Sequence, residues 1–298
     1  EPETIHTQDH ASFQTAWEDF RDRKGGTLPP RVSMAIAGPV GGEVIRFTNN
    51  PWIIRPALIG EKLGCDKYCV VNDFEAVAHA VARVSEDEFI HLTGPDEPLA
   101  PTGRLSVLGP GTGLGVAHLY REPDGTYRVS ATEGGHIDFA PLDSIEDAIL
   151  ARLRKRHTRV SVERVVSGPA ISDIYQTLAA MEGKAVAEED DIDIWQRGQE
   201  GTDSLAAAAV DRFCLSLGSV AGDIALAQGG FGGVVIAGGL GYRIRHTLLE
   251  SGFAERFRSK GRFQSLMASI PVKLITHPQP GLFGAAAAYA SEHGISEE

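Results

Sequence analysis

Asp73 is the residue in this sequence whose position best suits a general base. It follows a short apolar run, residues 68–71, that predicts a buried strand, and it precedes a helical pattern over residues 74–84. Because α/β sheets bind ligands at the carboxyl ends of their strands, a carboxylate there can accept a hydroxyl proton. The structural alternative is an N-cap of the following helix, a role that Asn72 could fill equally well.

A glycine-rich stretch, residues 109–115, separates two further predicted strands. Its glycines let the backbone approach a ligand closely and point N–H groups at an anion. It is not a Walker A loop, because it contains no Gly-Lys-Ser/Thr, and a strand rather than a helix follows, which excludes a dinucleotide fingerprint. A phosphate-binding loop and a tight hairpin remain as the two interpretations.

Three polar residues further along the chain could contact a polyhydroxylated ligand. Glu133 and His136 are separated by two glycines, so a carboxylate acceptor and an imidazole donor or acceptor can face one point. A zinc site would need a third ligand, and no Cys pair or second His at metal spacing accompanies them. A turn with incidental polar residues is the alternative. Glu163 has apolar neighbours, so it is either a buried acid or the partner of Arg164.

A pair of glycines, Gly238 and Gly239, follows the apolar run at residues 234–237. A buried strand that ends in Gly-Gly at the start of a helix can hold part of a nucleotide. A strand–helix turn with a glycine cap explains the same pattern.

The order of elements predicts an α/β fold. The predicted strands are 32–37 and 44–48, paired as a hairpin, 68–71, 105–108, 116–120 and 127–131, the last three antiparallel, and 234–237 and 271–276. The predicted helices are 53–63, 74–84, a helical region over 144–181 broken at 167–169, 204–228 and 281–291, while residues 185–200 are predicted to be an acidic surface segment.

The composition is that of a globular protein with two domains. The chain has 298 residues, and domains usually contain about 100–200. The net charge of −12 disfavours nucleic acid and anionic membranes as partners. An odd number of cysteines, three, favours reduced thiols and a cytoplasmic protein.

Taken in order, these motifs resemble the bacterial glucokinase family. The matching stretches are 31–39, 72–74, 109–115, 133–141, 161–169, 231–239 and 280–284, so the resemblance covers most of the chain. Related sugar kinases of the repressor/kinase group carry a Cys-rich zinc motif, which this sequence lacks. The resemblance implies an α/β, two-domain actin-like ATPase (ribonuclease H-like) fold with a cleft between a small domain, residues 1–84 and 275–298, and a large domain, residues 85–274.

The resemblance also implies an enzyme that transfers the γ-phosphoryl group of ATP, with Mg²⁺, to the 6-hydroxyl of glucose. Asp73 is then the catalytic base. The implied sugar ligands are Thr48, Asn49, Asn72, Asp73, Glu133, His136 and Glu163. The implied ATP-binding residues are Gly109, Gly111, Thr112, Gly113, Gly238 and Gly239. A homodimer is a further expectation from the family.

The N-terminal residues depart from the family pattern. The family begins with a strand-turn-strand that carries Asp-x-Gly-Gly-Thr, the first phosphate loop, whereas this sequence opens at Glu1 beyond that point. The stretch 24–27, Lys-Gly-Gly-Thr, lacks the Asp and a preceding apolar strand. Truncation and true loss are the two explanations, and the second would give a non-catalytic sugar-binding or regulatory homologue. A kinase of another hexose is a third hypothesis.

Overall fold

The computed structural model describes residues 2–47, 50–187 and 189–295. The strands are β1 (Arg31–Ile36), β2 (Ile45–Arg46), β3 (Ile53–Ile54), β4 (Lys67–Asn72), β5 (Phe89–Thr93), β6 (Gly103–Pro110), β7 (Leu114–Arg121), β8 (Tyr127–Thr132), β9 (Val234–Ile236) and β10 (Val272–Ile275). The helices are α1 (Phe13–Arg23), α2 (Ile59–Leu63), α3 (Asp73–Arg83), α4 (Ser144–Arg154), α5 (Ala170–Met181), α6 (Asp191–Glu200), α7 (Ser204–Gln228), α8 (Gly239–Arg243), α9 (Arg245–Glu250), α10 (Phe253–Arg258), α11 (Gln264–Ala268) and α12 (Pro280–His293).

The chain forms two compact units. The first contains Glu1–Arg83 and Gln279–Glu298, and the second contains Val84–Pro278. The last strand, β10, lies entirely within the second unit, where it pairs with β5 and β9. The domain boundaries given above, after residue 84 and before residue 275, stay a prediction.

The first unit is built on a parallel pair of strands, β1 and β4, whose register places Ile36 opposite Asn72. Helices α3 and α12 pack on each other and contact this pair. The predicted hairpin of residues 32–37 with 44–48 is wrong, since β2 pairs with β3 instead. The chain leaves β1 through Gly38, whose φ of 138° directs it away from a tight antiparallel return.

The predicted helix over residues 53–63 is wrong in its first half. The segment starts as β3, continues as a 3₁₀ turn over Pro56–Leu58, and only then becomes α2. Proline has no backbone N–H, so it opens a helical turn and cannot lie inside one. Gly64, with a φ of 66°, ends α2 in the left-handed conformation.

The second unit contains a six-stranded mixed sheet in the order β5-β10-β9-β6-β7-β8. Strands β6, β9 and β10 run parallel, whereas β7 pairs antiparallel with β6 and β8 pairs antiparallel with β7, as predicted for that group. The carboxyl ends of β6 and β9 therefore lie side by side at one edge of the sheet. Ligand crevices of α/β sheets form at such edges.

Helix α7 is the central helix of the second unit. It is long and apolar enough to cross a membrane, but 72% of its most apolar window is buried inside the protein. It packs against α5, α6 and α10. A Cβ at Gly218 would lie 2.3 Å from the Phe253 carbonyl oxygen, so glycine permits the close approach of α10. The burial confirms the prediction that this apolar helix belongs to the core.

We expect Gly284→Ala to destabilise the first unit. A Cβ at Gly284 in α12 would lie 1.7 Å from the Ala76 carbonyl oxygen of α3, a contact that requires the helices to separate. The free energy of unfolding should fall by about 2–3 kcal/mol, as for other overpacked cores. Urea unfolding followed by circular dichroism measures the change.

The matched control is Gly281→Ala in the same helix, where a Cβ would meet nothing within 4 Å. This variant should be as stable as the wild type, or more stable by less than about 1 kcal/mol. Equal stability of the two variants would show that the α3–α12 contact is not tight.

Candidate functional site

The candidate residues of the first unit lie at the carboxyl end of β4. The Asn72 side chain accepts hydrogen bonds from the backbone N–H groups of Phe74 at 2.8 Å and Glu75 at 3.2 Å. Its amide nitrogen donates to the Gly38 carbonyl at 3.2 Å. Asn72 is therefore the N-cap of α3, and it also ties the end of β4 to the loop that follows β1.

Asp73 is the first residue of α3, one position beyond the N-cap. It is half-buried, and its Oδ1 accepts a hydrogen bond from Phe74 N–H at 2.9 Å. The N-cap role that the sequence left open between Asn72 and Asp73 is thus filled by Asn72. Two other predicted sugar ligands, Thr48 and Asn49, lie outside the described residues.

Glu75 completes a reciprocal capping arrangement with Asn72. Its carboxylate accepts a hydrogen bond from the Asn72 backbone N–H at 3.3 Å, while Asn72 accepts from Glu75 N–H. Burial raises the pKa of Glu75, and the bond from Asn72 N–H opposes this rise. The sequence contained the signal for this residue, since an acid three positions after an Asn at a helix start is typical of a capping box.

In the second unit, the glycine-rich stretch is mostly strand. Gly109 and Pro110 belong to β6 and pair with Gly115 and Leu114 of β7. Only residues 111–113 form the turn, in which Gly111 N–H donates to the Gly113 carbonyl at 2.8 Å. The turn is thus a tight hairpin whose exposed tip is Gly111 and Thr112. This geometry leaves a backbone contact with phosphate open, because the tip is solvent-accessible.

Glu163 lies directly beside this turn. Its Oε2 accepts a hydrogen bond from Leu114 N–H at 3.0 Å. A Cβ at Gly113 would lie 2.3 Å from the same oxygen, so glycine is required for the carboxylate to approach. Glu163 is half-buried in a 3₁₀ turn, Val162–Arg164, and this contact joins residues that are 49 positions apart.

Glu133 and His136 flank a second turn that packs on the start of β7. A Cβ at Gly135 would lie 2.2 Å from the Leu114 carbonyl oxygen, so the turn can sit there only with glycine. His136 Nδ1 lies 3.7 Å from Glu133 Oε2, and the two side chains are 59% and 69% exposed. The backbone is fixed while both polar side chains face solvent, which suits recognition of hydroxyl groups.

The two halves of the proposed sugar-binding set in the second unit therefore meet at one residue, Leu114. Its N–H binds Glu163, and its carbonyl contacts Gly135. Gly168 N–H donates to the Gly111 carbonyl at 2.7 Å, which holds the 161–169 stretch against the same turn. The structure places Glu133, His136 and Glu163 around the turn at residues 111–113.

Gly238 and Gly239 lie at the carboxyl end of β9, next to that of β6. Gly238 has a φ of 90° and precedes α8, and a Cβ there would lie 3.2 Å from the Pro110 carbonyl oxygen. Ala237 N–H donates to the Leu108 carbonyl at 2.9 Å, which fixes the two strand ends together. The glycine pair and the glycine turn are thus neighbours at one sheet edge.

Tyr242 is a residue near this edge that the sequence patterns did not indicate. It lies on α8, one turn after Gly239, and is 44% exposed. The Arg245 guanidinium stacks over its ring at 4.4 Å from the centroid and donates to the Tyr242 carbonyl at 3.0 Å. An aromatic residue one helical turn after a Gly-Gly pair was the available signal.

The described part of the chain does not form a magnesium site by itself. Among those residues, no group of three or more His, Cys, Asp or Glu side chains could hold a metal ion. Mg²⁺ in phosphoryl-transfer enzymes is usually held by one or two carboxylates together with substrate phosphates. An ion held mainly by the phosphates of bound ATP does not need such a group.

Comparison with known proteins gives matches over nearly the whole chain. A family model described as Glucokinase matches residues 1–292. The chain is 58% identical to the glucokinase of Zymomonas mobilis, covering 100% of this chain and 91% of that protein. It is 41% identical to the glucokinase of Caulobacter vibrioides, over 98% and 88% of the two chains.

A solved structure agrees with these matches. The glucokinase of an Antarctic psychrotroph superposes with a TM-score of 0.83 at 33% identity, over 96% of this chain and 88% of that one. The α/β actin-like ATPase fold, which the family resemblance implied, is confirmed by this similarity.

We expect Glu75→Gln to gain stability relative to the wild type as the pH rises. The pKa of Glu75 is raised in the folded state, so the folded protein binds this proton more tightly than the unfolded chain does. Protonated Glu75 therefore stabilises the folded wild type fully at a pH below its ordinary pKa of 4.5, and this stabilisation is lost as the pH rises through the raised pKa of the folded state. Glutamine retains the capping bond without titrating.

Urea unfolding of both proteins between pH 4 and pH 7 tests this expectation. The difference in unfolding free energy should move in favour of Glu75→Gln across that interval. A difference that is constant with pH would show that Glu75 is not destabilised by burial of its charge.

Proposed function

The chain belongs to the glucokinase family, and we propose that Asp73 is the general base that activates the 6-hydroxyl of glucose. The enzyme catalyses ATP-dependent phosphorylation of glucose, giving glucose 6-phosphate. The observation that carries the proposal for Asp73 is its position, because it is a half-buried carboxylate on the first residue of α3, directly after the carboxyl end of β4.

The role of Asp73 follows from the chemistry of phosphoryl transfer. This reaction needs an acceptor oxygen in line with the phosphorus, neutralisation of phosphate charge, and a base for the acceptor proton. A half-buried carboxylate at the first turn of a helix is favoured as an anion by the helix dipole. It can therefore accept the proton as the 6-hydroxyl attacks, and pass it to solvent after the product leaves.

The sugar-binding residues are proposed in two groups. The first contains Asn72, with Thr48 and Asn49 carried over from the family resemblance. The second contains Glu133, His136 and Glu163, around the start of β7. Of the two carboxylate oxygens of Glu163, Oε2 accepts a hydrogen bond from Leu114 N–H, and Oε1 accepts none from the described residues. Oε1 can therefore accept a hydrogen bond from a sugar hydroxyl. Glu133 and His136 together offer acceptors and a donor.

ATP is proposed to bind at the shared edge of β6 and β9. The turn of Gly111, Thr112 and Gly113, whose first two residues are exposed, can approach the phosphates, with Gly109 at the base of the turn. Gly238 and Gly239 can lie against the adenosine. Mg²⁺ would arrive bound to the nucleotide phosphates. Cytoplasmic location and a homodimer stay predictions.

We expect Asp73→Asn to lower kcat by about 10²–10⁴-fold, the usual contribution of a general base. The amide oxygen can still accept the Phe74 N–H bond, so the fold and glucose binding should be retained. The measurements are a coupled assay of ADP production and calorimetric glucose binding, on protein whose N-terminus is verified by intact mass.

Asp66→Asn is the matched control, because Asp66 is an exposed acid shortly before β4. It should keep wild-type activity. Full activity of Asp73→Asn would overturn the assignment of the base. Glucose binding without ADP production by the wild type would instead favour the non-catalytic homologue, and a panel of hexoses in the same assay tests the choice of sugar.

We expect Tyr242→Ala to raise the KM for ATP by about 5- to 150-fold, with the KM for glucose unchanged. Stacking of a base on an aromatic ring contributes about 1–3 kcal/mol, and this ring is exposed one helical turn from Gly239. Initial rates with each substrate varied in turn measure both constants.

Phe263→Ala is the control, because Phe263 is also exposed and stacks with an arginine, Arg262, at 5.1 Å. It should leave both constants unchanged. Equal effects of the two substitutions, or an effect of Tyr242→Ala on glucose alone, would exclude adenine stacking on Tyr242.

A further inference from the structure

A cavity in the first unit lies apart from every residue assigned above. It is bounded by the first turn of α1 and by the segment from β3 to the end of α2, and its volume is about 310 Å³. Pockets that bind small molecules usually measure about 300–1,000 Å³, so this one suits a small ligand.

The floor of the cavity is apolar. Ile54, Ile59 and Leu63 are buried residues that line it. Its rim includes two exposed aliphatic side chains, Ile53 at 47% and Leu58 at 37%. Apolar residues exposed singly need no explanation, but these two continue a buried apolar floor, and such a continuous concave surface is typical of a ligand site.

Two cations complete the lining, Arg55 and Lys62. No acidic side chain of the described residues lines the cavity. Within that part of the chain, neither cation has an ion pair or a side-chain hydrogen bond. In a protein with a net charge of −12, two unpaired cations beside an apolar floor form a local site of opposite charge.

We propose that this cavity binds a small amphipathic anion, a carboxylate with a short hydrocarbon chain. The hydrocarbon chain of the ligand would cover the apolar floor of the cavity and remove that surface from water. The carboxylate would pair with Arg55, whose planar guanidinium matches a carboxylate in two hydrogen bonds, and with Lys62. The ligand chemistry thus follows from the two kinds of surface that meet in the cavity.

Calorimetric titration with three probes tests the proposal. Octanoate combines the tail and the anion, octylammonium keeps the tail and reverses the charge, and acetate keeps the charge without the tail. We expect saturable binding of one octanoate per chain, at least tenfold weaker binding of octylammonium, and no detectable binding of acetate.

A double variant, Arg55→Gln with Lys62→Gln, should weaken octanoate binding at least tenfold. Its matched control is Arg31→Gln with Lys67→Gln, which removes the same charge from exposed, paired positions at the start of β1 and β4. The control should bind octanoate as the wild type does. Circular dichroism and thermal unfolding establish that both variants fold.

Some results would overturn the proposal. They are equal binding of octanoate and octylammonium, equal weakening by the two double variants, or no octanoate binding by the wild type. Sedimentation velocity adds one more, because a wild-type dimer that the cavity variant alone dissociates would show that a second copy covers this surface. None of these results depends on kinase activity, so the outcome is independent of the proposed function.

Discussion

The backbone of Leu114 is the point on which the candidate site of the second unit depends. Its N–H donates a hydrogen bond of 3.0 Å to the Glu163 carboxylate. Its carbonyl packs against Gly135, in the turn between Glu133 and His136. Both contacts require glycine, because a Cβ at Gly113 or Gly135 would lie within 2.3 Å of an oxygen. Since the β6–β7 register fixes Leu114 opposite Pro110, the polar side chains are positioned by the six-stranded sheet.

In the first unit, a side chain rather than a backbone group positions the candidate residues. The end of β4 must become the start of α3, and the unpaired N–H groups of that helix need acceptors. Asn72 supplies one acceptor to two N–H groups and uses its amide nitrogen to bind the loop after β1. The residue that follows, Asp73, is then positioned by backbone geometry at the carboxyl end of β4, where the proposed base must lie.

Much of the fold could be predicted from sequence periodicity and glycine placement. Strands β4 and β6–β10 and helices α3, α7 and α12 follow from apolar patterns with clear ends. Strand pairing could not be predicted as well. The parallel pairing of β1 with β4 depends on the packing of α3 and α12, which joins distant parts of the chain, whereas a Gly-rich turn after β1 favoured a hairpin.

The candidate site shows the same limit. Motif order indicated which residues belong together, but the contact of Glu163 with Leu114 spans 49 positions and no local pattern encodes it. The sequence patterns used above did not include helix α1, although Phe13, Ala16, Trp17 and Phe20 follow the spacing of an amphipathic helix, and Phe13 and Trp17 pack against the core. Its N-terminal turn forms one wall of the cavity, but the packing of this turn beside residues 53–63, about 40 positions away, is a tertiary contact that no local pattern encodes.

The buried carboxylate of Glu146 holds the far end of the 133–141 stretch, the end that does not contact the six-stranded sheet. Five residues after this stretch, Glu146 is 1% exposed and accepts hydrogen bonds from the Ser216 hydroxyl, from Leu142 N–H and from the Arg256 guanidinium. Burying such a charge costs desolvation energy, so the network is weak evidence for stability. It does demand one arrangement of α4, α7 and α10, because any shift would leave a buried carboxylate unpaired. The stretch is thus anchored at Gly135 on one side and at α4 on the other, so the backbone that carries Glu133 and His136 is held in place while their side chains face solvent.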